Sequence, residues 1–313
     1  MNYGSLDIAR LGFMALQNLS FATMVGVLLS ARWLKGPVSG WQGRVNQKLA
    51  SVFTMSGIAA LLFSAVAFWI HCALMSEVSL QDAGPAVISM LRTTQFGHIW
   101  AIAAVLMVCI VTISLVSGKR PGIPLQPMVW LLIAGVALAR SNVGHPVDAG
   151  TLSLPVWADW VHLLAISSWV GIVLVATFIV SPEMRRAESE DIAGVAIFVQ
   201  AMSDAATIAL IALFVTGTYN GWRSVVAPAN ILGSWYGQVL ILKLVLVLVA
   251  AALGGHNRFF EMPSLLASLR NSAVSHTRYL KRFSTVLHVE SWVLIGVVAI
   301  AAVLVSSPLP GTE

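Results

Sequence analysis

Long apolar runs separated by short polar connections dominate the chain. Eight such runs lie at residues 6–33, 49–76, 94–117, 126–141, 155–180, 194–219, 236–256 and 284–307. A helix that crosses the hydrocarbon core of a membrane needs about 20 predominantly apolar residues. The pattern therefore predicts an all-α integral membrane protein, a bundle of about eight transmembrane helices in which the fourth helix is short.

The composition supports a membrane protein, since 58% of the 313 residues are hydrophobic and 10% are charged. A soluble domain has roughly 25% charged residues. The formal net charge of +5 does not require a nucleic-acid partner, because the cytoplasmic loops of membrane proteins collect Lys and Arg. No P-loop motif is present, so no nucleotide partner is expected. We expect residues 1–313 to form a single polytopic membrane domain embedded in the lipid bilayer.

The positive charges concentrate in four connections that alternate with connections poor in Lys and Arg. These connections hold thirteen of the 18 cationic residues: Arg32, Lys35, Arg44, Lys48, Lys119, Arg120, Arg185, Arg186, Arg258, Arg270, Arg278, Lys281 and Arg282. Basic loops stay in the cytoplasm. The rule predicts that both termini lie outside, on the periplasmic face of the inner membrane in a Gram-negative bacterium.

Four histidines fall at the predicted outer ends of different segments. They are His71, His98, His145 and His162, and Met75 shares a helix face with His71 at the i,i+4 spacing. Imidazoles gathered at one mouth of a membrane bundle favour a transition-metal site, and sulfur beside nitrogen suits copper better than magnesium, calcium or manganese. A solvated interfacial histidine is the alternative for each position, and spacing alone leaves both interpretations open.

Two charged residues lie near this predicted site. Asp159 precedes His162 by three residues, so its carboxylate could hold one ring nitrogen and fix the tautomer. Lys243 lies about two turns below the outer interface. It is either a snorkelling lysine whose ammonium reaches the headgroups or a positive group that pairs with a carboxylate.

Three ionisable residues, Asp204, His288 and Glu290, fall inside predicted spans toward the other face. Such residues usually face a partner or a polar cavity, because charge is costly within the membrane. Together with Gln200 they predict an inner polar cluster, which is either an exit for an ion or a structural network that holds helices together.

Several segments together resemble the copper resistance protein D (CopD) family of bacterial inner-membrane copper proteins. They are Gly144-His145, Asp159-Trp160-Val161-His162-Leu163-Leu164-Ala165, Trp169-Val170-Gly171, Thr216-Gly217, Tyr236-Gly237-Gln238-Val239-Leu240-Ile241-Leu242-Lys243-Leu244, Asn257-Arg258 and Glu290. The resemblance covers about residues 140–300. One departure is Ile172, where many members have a second glycine.

The resemblance implies a protein that handles a copper ion, Cu(I) or Cu(II), at the periplasmic face, in copper import and homeostasis. It also implies a separate periplasmic copper-carrier protein, since some relatives carry such a domain fused. His145 and His162 match family motifs, whereas His71 and His98 are added here from topology.

Two other functions remain open from the residues alone. Histidines on different helices could ligate a b-type haem axially, which would make the protein a membrane oxidoreductase. A structural or assembly role with incidental copper binding is the other. The copper hypothesis is that of a binding and transfer protein, not of an enzyme.

Overall fold

The described part of the chain is almost entirely helical. The computed structural model describes residues 4–34, 40–117, 126–144, 148–225, 230–270 and 276–308, and no strand occurs within these ranges. The helices are α1 Ser5–Trp33, α2 Gly40–Met75, α3 Gly84–Thr93, α4 Gln95–Ser117, α5 Gln126–Ser141, α6 Leu154–Val175, α7 Ser181–Met184, α8 Ile192–Val225, α9 Asn230–Gly233, α10 Trp235–His256, α11 Met262–Arg270 and α12 His276–Val305.

Within the described ranges, seven helical stretches are long and apolar enough to cross a membrane. They are Ser5–Trp33, Gly40–Met75, Gln95–Ser117, Leu154–Met184, Ile192–Val225, Trp235–Leu269 and Thr277–Val305. The shorter apolar helix Gln126–Ser141 is the eighth, in the place where the sequence predicted a short span. The prediction of an all-α, multi-pass membrane bundle is confirmed.

Two of the long stretches contain a π-helical turn directly before a proline. Ala176–Val180 joins α6 to α7, whose second residue is Pro182, and Asn257–Glu261 joins α10 to α11, whose second residue is Pro263. Proline lacks an N–H donor, and its ring clashes with the carbonyl group four residues earlier. A local π turn changes the hydrogen-bond pattern there, so the helix continues past the proline.

The connection between the apolar runs 236–256 and 284–307 is expected to be a loop over residues 257–283, but its described residues are helical. It contains the π segment, all of α11 and the beginning of α12. The positive charges in this segment end the apolar run, which is why a loop is expected there. An apolar run shows how much of a helix lies in the membrane, and the helix itself can continue beyond it. For the same reason α3 lies within the predicted outer loop at 77–93.

The central helix α1 packs against α2, α6 and α12. Its crossing with α6 brings the two backbones into direct contact at Gly26 and Gly171. A Cβ atom on Gly26 would lie far inside the van der Waals distance of the Gly171 backbone, and one on Gly171 would overlap the carbonyl oxygen of Ala22. Small residues allow such close helix packing in membranes. The contact fixes α6, which carries His162, against the middle of the bundle.

Helices α4 and α10 form much of the outer surface. Their exposed side chains include Ile102, Val105, Leu244 and Leu248, and few of their residues are buried. An apolar surface of this extent is typical of contact with a membrane rather than with water.

One buried carboxylate organises the end of the bundle that we call the basic end, where Arg44, Lys48 and Arg186 lie. Glu183, only 1% exposed, accepts hydrogen bonds from Arg44 Nε at 3.1 Å, Lys48 Nζ at 2.7 Å and an Arg186 nitrogen at 3.4 Å. Two of these cations belong to α2, so the network ties α2 to the end of the α6–α7 stretch. Of the other predicted basic-loop residues, Lys35, Lys119 and Arg120 lie outside the described residues.

Candidate metal centre

Three of the four predicted histidine ligands lie in the described chain. His71 is near the end of α2, His98 near the beginning of α4 and His162 in the first half of α6. Because these helices alternate in direction, all three positions lie at one end of the bundle, which we call the histidine end. His145 lies outside the described residues.

His162 is held by a hydroxyl group from a neighbouring helix. Its Nδ1 atom lies 3.0 Å from Oγ1 of Thr216 on α8, and that hydroxyl also donates to the carbonyl oxygen of Ala212 at 2.7 Å. A threonine hydroxyl has a single hydrogen, so it must accept from Nδ1–H. The neutral imidazole then carries its lone pair on Nε2, the atom with which it can bind a metal ion.

The charged and polar groups near His162 and Asp159 come from three helices. Lys243 on α10 acts electrostatically on both His162 and Asp159, and Asp159 also faces the Ser141 hydroxyl on α5. The charges of Lys243 and Asp159 act on each other, but no ion pair joins the two side chains among the described residues. The bond expected between Asp159 and His162 is replaced by the bond from His162 to Thr216.

Arg140 on α5 supplies a second positive charge beside Asp159. Its guanidinium donates to Oδ1 of Asn18 on α1 and lies 5.8 Å from the ring centre of Phe21. The carboxylate of Asp159 therefore has two cations near it, and the polar groups of α1, α5, α6, α8 and α10 meet in the histidine-end half of the bundle.

The other two described histidines have different surroundings. His71 packs against Phe96 with 4.8 Å between ring centres, and the positive charge of Arg10 acts on it. His98 is exposed, with Nε2 lying 3.2 Å from the carbonyl oxygen of Arg92. Met75 is 64% exposed, so its thioether is accessible at the end of α2.

The described residues do not bring these ligands into one group. Within those ranges, no three His, Cys, Asp or Glu side chains are arranged so that they could hold a metal ion. His71, His98 and His162 therefore form no site by themselves. The four-histidine site includes His145 and stays a prediction.

The predicted inner polar cluster is divided in the structure. Each member has its own partner: Asp204 accepts from Arg258 at 2.9 Å, His288 Nδ1 lies 2.6 Å from the Ser284 carbonyl oxygen, and Glu290 accepts from the Trp169 indole at 3.1 Å. Among the described residues, no hydrogen bond or ion pair joins two of the three.

Reasoning from the sequence missed Thr216 and Trp169 as partners of ionisable groups. Thr216 carried a usable signal, because it is a hydroxyl residue inside a long apolar run and belongs to one of the quoted motifs. Trp169 carried a weaker signal, since an indole within a membrane helix usually packs or anchors at the interface.

Comparisons with known proteins agree with the motifs. The model of the copper resistance protein D-like N-terminal domain matches residues 5–154, and that of copper resistance protein D matches residues 196–304. The chain is similar to copper resistance protein D of Pseudomonas syringae pv. tomato, with 25% identity over 255 residues, 78% of this chain and 79% of that protein.

It is also similar to copper transport protein CutJ of Bacillus subtilis (strain 168), with 26% identity over 223 residues. That match covers 69% of this chain and 38% of the relative, so the chain spans less than half the length of this Bacillus protein. No solved structure matches the chain. The two family models cover most of the helical bundle, and the chain therefore belongs to the copper resistance protein D family.

Proposed function

We propose that the protein binds copper at the histidine end and moves it across a bacterial inner membrane into the cell. The observation that carries this proposal is the bond between His162 and Thr216, which leaves Nε2 of a well-held imidazole with its lone pair. His162 would be the fixed ligand. His145, His71, His98 and Met75 would complete the site as copper enters.

Copper is the metal that best fits the proposed ligands. Imidazole binds both Cu(I) and Cu(II), and an accessible thioether such as that of Met75 favours the reduced ion. Asp159 would act through charge, because its carboxylate partly offsets the positive potential of Lys243 and Arg140 near the incoming cation. The relatives with matching sequences are named for copper transport and copper resistance.

The charge distribution supports import from the periplasm. The basic end would face the cytoplasm, because loops rich in Lys and Arg are retained there. The histidine end and both termini would then face the periplasm. A separate periplasmic carrier would deliver copper, since no nucleotide-binding motif supplies energy to a pump.

Copper content of cells that produce the protein tests the direction and the ligand together. We expect cells with the wild-type protein to accumulate more copper than cells with an empty vector. His162→Ala should abolish the gain, and His288→Ala, which removes a membrane histidine far along the bundle, should keep it. A lower copper content with the wild type would contradict import, and an unchanged gain with His162→Ala would contradict the ligand.

Reporter fusions test the orientation separately. Alkaline phosphatase fused after the last residue is active only in the periplasm, and a fluorescent protein folded in the cytoplasm reports the opposite side. We expect phosphatase activity at the C-terminus. A fluorescent, phosphatase-negative C-terminus would reverse the orientation and with it the proposed direction.

A further inference from the structure

A cavity of about 250 Å³ lies among α6, α8, α10 and α12, away from the histidine end. Its wall includes Glu290, Asn257, Met202, Met262 and Trp169. None of these residues belongs to the proposed copper entry site, and two of them are methionines for which the sequence suggested no chemistry.

Glu290 places a carboxyl group in this cavity, and few polar or positively charged groups contact it. The residue is 2% exposed, and Oε1 accepts a hydrogen bond from Trp169 Nε1 at 3.1 Å. Gly254 leaves room for it, because a Cβ atom there would lie 3.1 Å from Oε1. In the described part of the chain, no Lys, Arg or His forms an ion pair with Glu290. A buried carboxyl group with one hydrogen-bond donor is neutralised either by a proton or by a bound cation.

Asn257 supplies a second oxygen atom without a protein partner. The residue is 4% exposed, its Nδ2 donates to the carbonyl oxygen of Phe283 at 3.4 Å, and its Oδ1 accepts no hydrogen bond within the described residues. Exchanging the two amide atoms would place two acceptors against each other, so the Phe283 contact fixes the orientation. Buried acceptors of this kind usually bind a donor, a water molecule or an ion.

Met202 on α8 and Met262 on α11 bring thioether sulfur to the same cavity, and both residues are buried. Thioethers are soft ligands that select Cu(I) among the common biological cations. One carboxylate balances a single positive charge, whereas a divalent ion would leave a net charge buried. The ligand types and the charge together favour a monovalent soft cation.

The nearby side chain of Arg258 is not the cation that balances Glu290. Arg258 also lines the cavity, but its guanidinium pairs with Asp204 at 2.9 Å and donates to Ser203 Oγ at 2.7 Å. The Arg258–Asp204 pair is close to neutral as a unit. Arg258 therefore does not neutralise the Glu290 carboxyl group.

We propose that this cavity is an internal binding site for a monovalent soft cation, with Glu290 as the anionic ligand and Met202 and Met262 as sulfur ligands. The identification of the cation as Cu(I) rests on the proposed copper function. The site would receive the ion after it leaves the histidine end and before it reaches the cytoplasm.

Binding of Ag(I), a redox-inert monovalent soft cation, to the purified full-length protein tests the proposal. We expect Glu290→Gln and the double variant Met202→Leu/Met262→Leu each to lose one equivalent of Ag(I) relative to wild type. The control Met107→Leu removes a buried thioether from α4, a helix that contributes no described residue to this cavity, and should bind as wild type. Methionine-to-leucine changes nearly conserve volume, so these variants are expected to fold.

The outcomes separate this site from the entry site. If His162→Ala binds Ag(I) as wild type while the cavity variants lose an equivalent, the entry site fails and the internal site stands. Unchanged binding in both cavity variants would overturn the internal site. Loss in Glu290→Gln with full retention in the double methionine variant would also overturn it, because the cavity would then hold a proton or a hard cation.

X-ray absorption of the bound metal gives an independent measurement if Glu290→Gln does not fold. We expect sulfur neighbours around the Ag(I) retained by His162→Ala, and their loss when Met202→Leu and Met262→Leu are added. Sulfur neighbours that persist in the combined variant would exclude these two methionines as ligands.

Discussion

Thr216 on α8 and His162 on α6 are joined by a 3.0 Å contact between Oγ1 and Nδ1. Since the Thr216 hydrogen is donated to Ala212, the contact fixes which ring nitrogen carries the proton. It also spans two helices, so the orientation of the imidazole depends on how α6 and α8 pack. The proposed metal ligand would thereby be oriented by a residue that need not touch the metal.

Removing this hydroxyl should weaken copper binding. Thr216→Val keeps the shape of the side chain but leaves Nδ1–H without its acceptor, so the ring can rotate and change tautomer. We expect copper affinity to fall about 10- to 100-fold, the usual effect of losing a group that orients a metal ligand. Thr216→Ser retains the hydroxyl and is the matched control. Equal affinities of the Val and Ser variants in a chelator competition assay would contradict the role of Thr216.

Removing the positive or the negative charge near His162 should change the copper affinity in opposite directions. Lys243→Met removes a positive charge that acts on His162, so copper should bind more tightly. Asp159→Asn removes the nearby negative charge and should weaken binding. Each change is expected to be about three- to tenfold, as for one partly screened charge. Copper affinities of the two variants, measured at low and high salt, test this prediction. An affinity that changes in the same direction in both variants would argue against an electrostatic effect.

The α1–α6 crossing should tolerate no side chain larger than hydrogen. Gly26→Ala or Gly171→Ala forces a methyl group against backbone atoms, which cannot move aside as a flexible side chain can. We expect a loss of about 1–3 kcal/mol or more in the free energy of unfolding. Gly12→Ala, on α1 but with open space around its Cβ position, is the control. Thermal unfolding in detergent distinguishes them, and a Gly26→Ala protein as stable as Gly12→Ala would refute the close contact.

The Glu183 network should contribute to the stability of the protein without affecting its copper affinity. Glu183→Gln removes the charge that three cations share, but these cations are largely exposed and can be solvated by water. We therefore expect a moderate loss of about 1–3 kcal/mol, as for a few lost charge-assisted hydrogen bonds. Thermal unfolding and copper titration of Glu183→Gln and of the exposed Glu190→Gln test this. A change in copper affinity with unchanged stability would contradict a structural role.

The number and order of the apolar helices could be predicted because a membrane span requires a long apolar run, and the shorter run at 126–141 predicted the short apolar helix Gln126–Ser141. The continuation of α10 into α11 could not be predicted from the apolar runs. Arg258 and Asn257 look like loop residues by hydropathy, yet Arg258 pairs with Asp204 and Asn257 Nδ2 donates to the carbonyl group of Phe283. The expectation of a single domain over residues 1–313 stays a prediction.

The positions of His71, His98 and His162 along their helices were predictable, but their contacts were not. The sequence placed His162 at the right end of the right helix, because that depends on position along a span. Its pairing with Thr216, and that of Glu290 with Trp169, depend on how helices distant in the chain rotate against each other. Apolar periodicity carries little such information in helices that are apolar on every side.

Copper affinity of the purified protein, measured against a competing chelator for wild type, His162→Ala and His288→Ala, tests the central claim most directly. The account predicts that His162→Ala weakens binding about tenfold or more, equivalent to about 1.4 kcal/mol at the least. His288→Ala, whose ring nitrogen is bonded to the backbone of its own helix, should match the wild type. Equal affinity in all three proteins, or a haem absorption band in place of copper, would contradict the account.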